Sequence, residues 1–202
     1  MLDAAIAKWQ DETYETILKH KLADFLESLG LDLSNSSMLQ TPDRVIKFFI
    51  NELFFGLDYH NFPSITPLSN DYAYKNPLFA TGITVNSTCE HHLVPITGLA
   101  MVGYIPNNTI VGLSKLNRVI DFFARRPQMQ ERLTRQIFIT LTEVLHTEDI
   151  AIAINATHDC VAVRGIGDPN TNILTLECGG KFLADEILQN NFYQQALAMR
   201  KS

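Results

Sequence analysis

Cys89, His92 and Cys160 are the side chains in this sequence best suited to hold a metal. Cys89 and His92 form a Cys-x-x-His pair inside the run Ser87-Thr88-Cys89-Glu90-His91-His92. In a straight strand, residues three apart point to opposite faces, so a shared ion requires a sharp turn at Glu90-His91. Cys160 lies far downstream, beyond a period-two run in which Ile150, Ile152 and Ile154 alternate with Ala151 and Ala153. If that alternation continues, His158, Cys160 and Arg164 share one face of a strand. Two thiolates, one imidazole and an open fourth position suit catalytic zinc, which activates water at neutral pH. His91 and His158 stand beside these ligands, where a general acid or base is useful. Against this, Cys-x-x-His pairs arise by chance and single buried cysteines are common in cores. By spacing alone, a metal site and a set of core residues both remain open. His20, His60 and His146 have no ligand company and read as surface or structural residues.

A second group suits an anion. Ser114-Lys115-Leu116-Asn117-Arg118 opens a predicted helix, with Ser114, Lys115 and Arg118 on one side. A helix start offers free amides and partial positive charge, which attract phosphate. Arg125, Arg126, Arg132 and Arg135 read as a solvated helix surface. Arg44 and Lys47, one turn apart, read the same way. Gln130-Glu131 begins the next predicted helix. The dipole favours an acidic residue there, and a carboxylate can equally accept two hydrogen bonds from a guanine edge.

Several elements must position these groups. A helix is expected over the first thirty residues, from the loose spacing of Ile6, Trp9, Tyr14, Ile17 and Leu22, with Gly30 as its stop. A second helix opens at Thr41-Pro42, with Thr41 as N-cap, and runs to about Gly56. Residues 57–76 read as a long ordered loop. Phe79–Thr88 and Ile96–Ile105 read as strands flanking the Cys-x-x-His turn. Helices follow from about Ser114 to Arg125 and through Leu133, Ile137, Leu141 and Val144. Then come strands at Ile150–Ile154 and Asn172–Cys178, and a short helix from about Leu183. Paired strands and paired helices favour an α+β domain with an antiparallel sheet and helices on one face.

The 202 residues, 46% of them hydrophobic and 19% charged, can bury one core. A formal net charge of −6 argues against a general nucleic-acid binder while leaving room for a local cationic pocket. No apolar run has membrane-spanning length, and the opening residues lack the pattern of a secretory signal, so a cytoplasmic protein without membrane attachment is expected. Three cysteines in that setting read as thiols or metal ligands, not as a disulfide framework.

Taken together, several runs resemble the GTP cyclohydrolase I family. They are Thr41-Pro42-Asp43-Arg44, Gly56-Leu57-Asp58-Tyr59, Ser87–His92, Gly112–Arg118, Phe122–Gln128 with Gln130–Leu133, and His158–Gly165. The likeness is collinear from about residue 40 to about 182. It implies a tunnelling fold, a four-stranded antiparallel sheet backed by two helices, as a catalytic domain over 57–202 behind an N-terminal helical region, 1–56. It implies homo-oligomeric rings of five subunits, stacked as a decamer, with active sites at subunit interfaces. It implies zinc on Cys89, His92 and Cys160, with activated water attacking C8 of GTP. His158 and His91 would move protons, and Ser114 would help open the ribose. Formate is released and the ring recloses as 7,8-dihydroneopterin triphosphate. Glu131 and Gln130 would hold the guanine, and Lys115, Arg118 and Arg164 the triphosphate, with Arg44 and Lys47 reaching it from a neighbouring subunit. Asn172–Cys178 is more apolar than the corresponding family stretch. Cys178 reads as a core or interface thiol, since a fourth protein ligand would close the catalytic position.

Two other readings compete. One is a catalytically silent purine- or pterin-binding module on the same fold, which would not require His91 and His158. The other is a structural α+β oligomer whose cysteines are core residues.

Overall fold

The computed structural model describes Trp9 and residues 11–199 and divides into two compact units, 1–61 and 62–202. In the first unit, α1 (Glu12–Ser28) is capped by Asp11, whose carboxylate accepts from the Thr13 amide at 2.8 Å. It stops at Gly30, which takes the left-handed φ of +85° that ends many helices. Ile6 lies outside the described residues, and Trp9 precedes α1. Helix α2 (Thr41–Phe48) starts one residue earlier than expected. Gln40 is its N-cap, Thr41 is already helical, and no side chain caps it. It also ends earlier. At Phe49–Leu53 the turns widen to the π form, and a 3₁₀ turn follows at Phe55–Leu57.

The second unit has one main sheet and a separate two-stranded ribbon. Strand β1 (Leu68–Ser69) pairs with β4 (Thr109–Ile110), a small ribbon inside what reads from sequence as loop. The main strands are β2 (Leu78–Cys89), β3 (Pro95–Tyr104), β6 (Ile150–His158) and β7 (Asn172–Cys178), antiparallel in that spatial order. A two-residue strand, β5 (Pro127–Gln128), adds parallel to the edge of β2 beside Cys89. Near its start β2 carries a bulge between Ala80 and Ile83, where Gly82 takes φ +72°.

Helices α3 (Leu113–Ala124) and α4 (Gln130–Leu145) pack against β2, β6 and β7. Leu116, Val119, Ile120, Leu133, Ile137 and Leu141 are buried along them, at the three- and four-residue spacings of one helix face. The opposite face is not bare. After β7, helices α6 (Lys181–Ala184) and α7 (Glu186–Ala198) bring Phe182 and Phe192 onto Met101, Ala151 and Ala153. The isoleucine/alanine alternation in β6 is therefore buried on both sides. Small residues face the two rings, and the isoleucines face the helix pair. Gly103, paired with Ala151, belongs to the small set. A Cβ there would lie 3.0 Å from both rings.

Candidate functional site

The sheet brings the metal candidates to one end. Cys89 is the last residue of β2, and Cys89 and His92 belong to one hairpin. The hairpin closes through hydrogen bonds from the Leu93 amide to the Cys89 carbonyl and from the Cys89 amide to the Val94 carbonyl, both 2.8 Å. Leu93 takes the left-handed conformation at φ 53°, and this supplies the sharp turn that the Cys-x-x-His pair requires. Ile96 pairs with His158, so the end of β6 lies beside the hairpin. Here the strand reading needs correction. The alternation stops at His158, and Asp159–Ala162 forms a helical turn, α5. Cys160 is thus presented by a turn and Arg164 by the loop after it, not by the face of one strand.

The ligand atoms of Cys89, His92 and Cys160 lie within 4.8 Å of one another. Cys89 Sγ is 4.0 Å from His92 Nδ1. A tetrahedral zinc with its usual bond lengths separates S and N ligands by about 3.5 Å, so a small contraction seats the ion. Burial, then the Cys89 sulfur, raises the Cys160 pKa, while Arg164 opposes the shift. A divalent cation would reverse that preference and hold both sulfurs as thiolates. The donor set therefore fits zinc. One contact must give way. Arg164 Nη1 lies 2.5 Å from His92 Nε2. Arginine only donates, so Nε2 accepts and the neutral ring carries its proton on Nδ1. An ion on Nδ1 requires the other tautomer and a withdrawn guanidinium.

His158 is held differently. Its Nε2 lies 2.8 Å from Gln130 Oε1. Gln130 is 1% exposed, and its Nε2 lies 2.9 Å from the carbonyls of Ile154 and Ile173 and 3.1 Å from the Thr175 hydroxyl. Two carbonyls can only accept, which fixes the amide's orientation and makes Oε1 the acceptor for His158. The ring is thus the Nε2–H tautomer, with Nδ1 bearing the lone pair. Burial lowers the His158 pKa, and the nearby Glu131 carboxylate acts weakly the other way. At neutral pH the ring is an uncharged base. His91 is exposed, with Nδ1 3.8 Å from Cys89 Sγ. Glu131 is exposed at the first turn of α4.

The anion group is elsewhere. The Val111 amide, just before α3, bonds the Tyr104 hydroxyl at 3.4 Å, and Tyr104 pairs with Leu78 and Ile150 at the other end of the sheet. The far end of α3 is tied to the metal end by the Ser87 hydroxyl, 2.7 Å from the Ala124 carbonyl. Ser114 lies ten residues before Ala124, about 15 Å along the axis. Within one chain, Ser114 therefore does not stand at the metal. Ser114 and Arg118 are exposed, and Lys115 Nζ donates to the Ser64 carbonyl at 2.7 Å. In the first unit, Arg44 bonds Gln40 at 3.2 Å and Lys47 pairs with Asp43 at 2.9 Å.

The arginines read as one solvated surface divide. Arg125 pairs with Asp121 and Arg135 with Glu177. Arg126 is 6% exposed, with its guanidinium over the rings of Phe122 and Phe123 at 4.7 and 5.0 Å. That burial corrects the surface reading, and the Phe122-Phe123 pair before it was the available signal. Arg132 bonds Glu90. Cys178 is half-buried at the end of β7, and burial raises its pKa. Among the described residues, no helix is long and apolar enough to cross a membrane.

Residues 18–197 match the family described as GTP cyclohydrolase I. The chain is 44% identical to GTP cyclohydrolase 1 of Haemophilus influenzae (strain PittEE) over 192 residues, 95% of this chain and 87% of that one. It is 44% identical to that of Shewanella denitrificans over 179 residues, 89% and 82% of the two chains. For Aeromonas salmonicida (strain A449) the identity is 49% over 157 residues, 78% and 72% of the two chains. A solved structure, the archaeosine synthase QueF-Like in the apo form, is more distant, at 14% identity and a TM-score of 0.42, covering 53% of this chain and 94% of that one. On the family match and these identities, the chain belongs to the GTP cyclohydrolase I family.

Proposed function

We propose that the protein is a cytoplasmic, zinc-dependent GTP cyclohydrolase I that opens the imidazole ring of GTP, releases C8 as formate and recloses the product as 7,8-dihydroneopterin triphosphate. The observation that carries this reading is the pairing of a three-ligand metal set with a neutral, tautomer-fixed His158 at the same end of the sheet. A binding module would not need that base. The fold reading that goes with it is the tunnelling fold over 57–202.

Zinc on Cys89, His92 and Cys160 would supply a Lewis acid and an activated water at neutral pH. His158 takes and returns a proton through Nδ1, because Nε2–H is committed to Gln130. Gln130 thus acts one step behind the substrate, by orienting the base. His91, exposed beside Cys89, relays protons during ring opening. Glu131 accepts from N1–H and the amino group of guanine. Arg164 leaves His92 and joins Lys115, Arg118, Arg44 and Lys47 on the triphosphate, and Ser114 assists opening of the ribose.

Ser114 must act near the base, yet it lies at the other end of α3. This supports a homo-oligomer in which one chain provides the metal half and another the Ser114-Lys115-Arg118 half, with a decamer of two stacked pentamers as the assembly. The test is GTP turnover by protein of measured zinc content, following formate and the fluorescence of oxidised pterin together. Both signals in step, abolished by chelator, are expected. GTP binding by zinc-loaded protein with neither signal refutes catalysis and leaves the binding module.

A further inference from the structure

The hairpin carrying Cys89 and His92 is gripped from outside. The Glu90 amide donates to the Gln128 carbonyl at 3.1 Å, and the Glu90 carboxylate accepts from Arg132 on α4. Arg132 also donates through Nε to Gln128 Oε1 at 3.0 Å and through Nη2 to the Pro127 carbonyl at 3.2 Å. Gln128 is 1% exposed and donates to the Phe123 carbonyl and to Gln136 Oε1, each at 2.8 Å. The guanidinium therefore connects the metal hairpin to β5 and, through Gln128, to the buried end of α3 and the middle of α4. The β2–β3 ladder and the Ile96–His158 pairing hold the base of the hairpin, while Arg132 holds its tip at Glu90. Tilt matters because Cys160 comes from α5, a different element, and the ligand set closes only if the two are held at a fixed angle.

We propose that Arg132, by holding Glu90, is a positioning residue that sets the angle of the Cys89–His92 hairpin and so the affinity of the site for a zinc-like divalent cation. The pair is partly exposed, with side-chain exposures of 45% and 27%. An ion pair of this kind contributes little to the stability of a fold. Its effect belongs to the metal: groups bonded directly to a ligand typically change affinity tenfold to a hundredfold, and a grip on the residue next to Cys89 should act at the lower end of that range.

The inference rests on the metal reading of Cys89, His92 and Cys160, and the experiment separates the two. Zinc affinity is measured for the full chain by competition with a chromophoric chelator, alongside the visible spectrum of the cobalt-substituted form. Failure of the wild-type chain to take up one zinc overturns the metal reading and the clamp with it. With that uptake in hand, Arg132→Ala and Glu90→Gln should each weaken zinc about tenfold or more and broaden the cobalt bands, while the metal-free protein melts as wild type does. The double variant should bind no more weakly than the worse single, because both break one contact. Arg132→Lys, which keeps the charge and loses the fork, should fall between. Wild-type affinity in Glu90→Gln, or losses that multiply in the double variant, overturn the clamp and leave the metal reading standing. If Arg132→Ala unfolds early, the near-isosteric Glu90→Gln decides alone.

Discussion

The proposed division of the site between two chains has a quantitative consequence. Cys89→Ala removes a proposed metal ligand and leaves Ser114, Lys115 and Arg118 intact at the start of α3. Arg118→Ala does the reverse. Each variant alone should be nearly inactive. Co-expressed in equal amounts and assembled at random, each metal half is sound with probability one half, and so is the anion half that meets it. About one quarter of the sites then contain both sound halves, so the mixture should regain about one quarter of wild-type activity per site. Titrating the ratio should trace the product of the two fractions, with its maximum at equal amounts. The assay is formate release normalised to chain concentration, with size-exclusion chromatography to verify mixed assemblies. The distances decide the alternative. If one chain supplied both halves, every site would carry one defect at any ratio. Mixed assemblies no more active than the sum of the parents would refute the placement of Ser114 away from its own chain's metal.

Gln130→Leu should lower kcat about tenfold to a hundredfold by releasing His158, with KM little changed, and should cost about 2 kcal/mol of stability from unpaired buried groups. A raised KM at constant kcat would put Gln130 on the substrate instead. Gly103→Ala should destabilise by about 1–3 kcal/mol through contact with Phe182 and Phe192, read as a lower melting temperature with kinetics unchanged at 25 °C. Asp168 accepts from the Thr171 hydroxyl at 2.6 Å and the Asn170 amide at 2.9 Å, which lower its pKa. A depressed folded-state pKa gives stability that is present above the unfolded value and lost as pH falls through the folded one. Protection of the amides in the 168–171 turn, taken as exchange relative to the intrinsic rate at each pH, should therefore fall below about pH 4 in the wild type, and Asp168→Asn should remove that step. Protection in the wild type that stays constant through that range would contradict it.

Much of this was legible in the residues. Cys89, His92 and Cys160 stood out as metal candidates by residue type, and the alternation in Ile150–Ile154 places Cys160 just beyond a strand's end. What was not legible depended on partners distant in sequence. Nothing local distinguishes Arg132, which meets Glu90 across the unit, from Arg135, which meets Glu177 on β7. Gln130 looked like a substrate contact because its depth is set by Ile154, Ile173 and Thr175. The helical turn at Asp159–Ala162 escaped notice because period two does not announce where it stops. The C-terminal pair of helices was readable only as one short helix, since their role lies in Phe182 and Phe192 fitting over Gly103, Ala151 and Ala153.

Strand β6 is hydrogen-bonded on both sides, to β3 and to β7. Inserting one residue into it would act like a frameshift in side-chain direction. The isoleucines would turn into the space shaped for Phe182 and Phe192, and His158 would turn away from Gln130. A point substitution can weaken the base or the core separately, but an indel in this strand strikes both in the same step. Variation in β6 is thereby confined to exchange of residues at fixed length. Changes of length belong where neither ladder constrains the chain, as in the loop at 163–171.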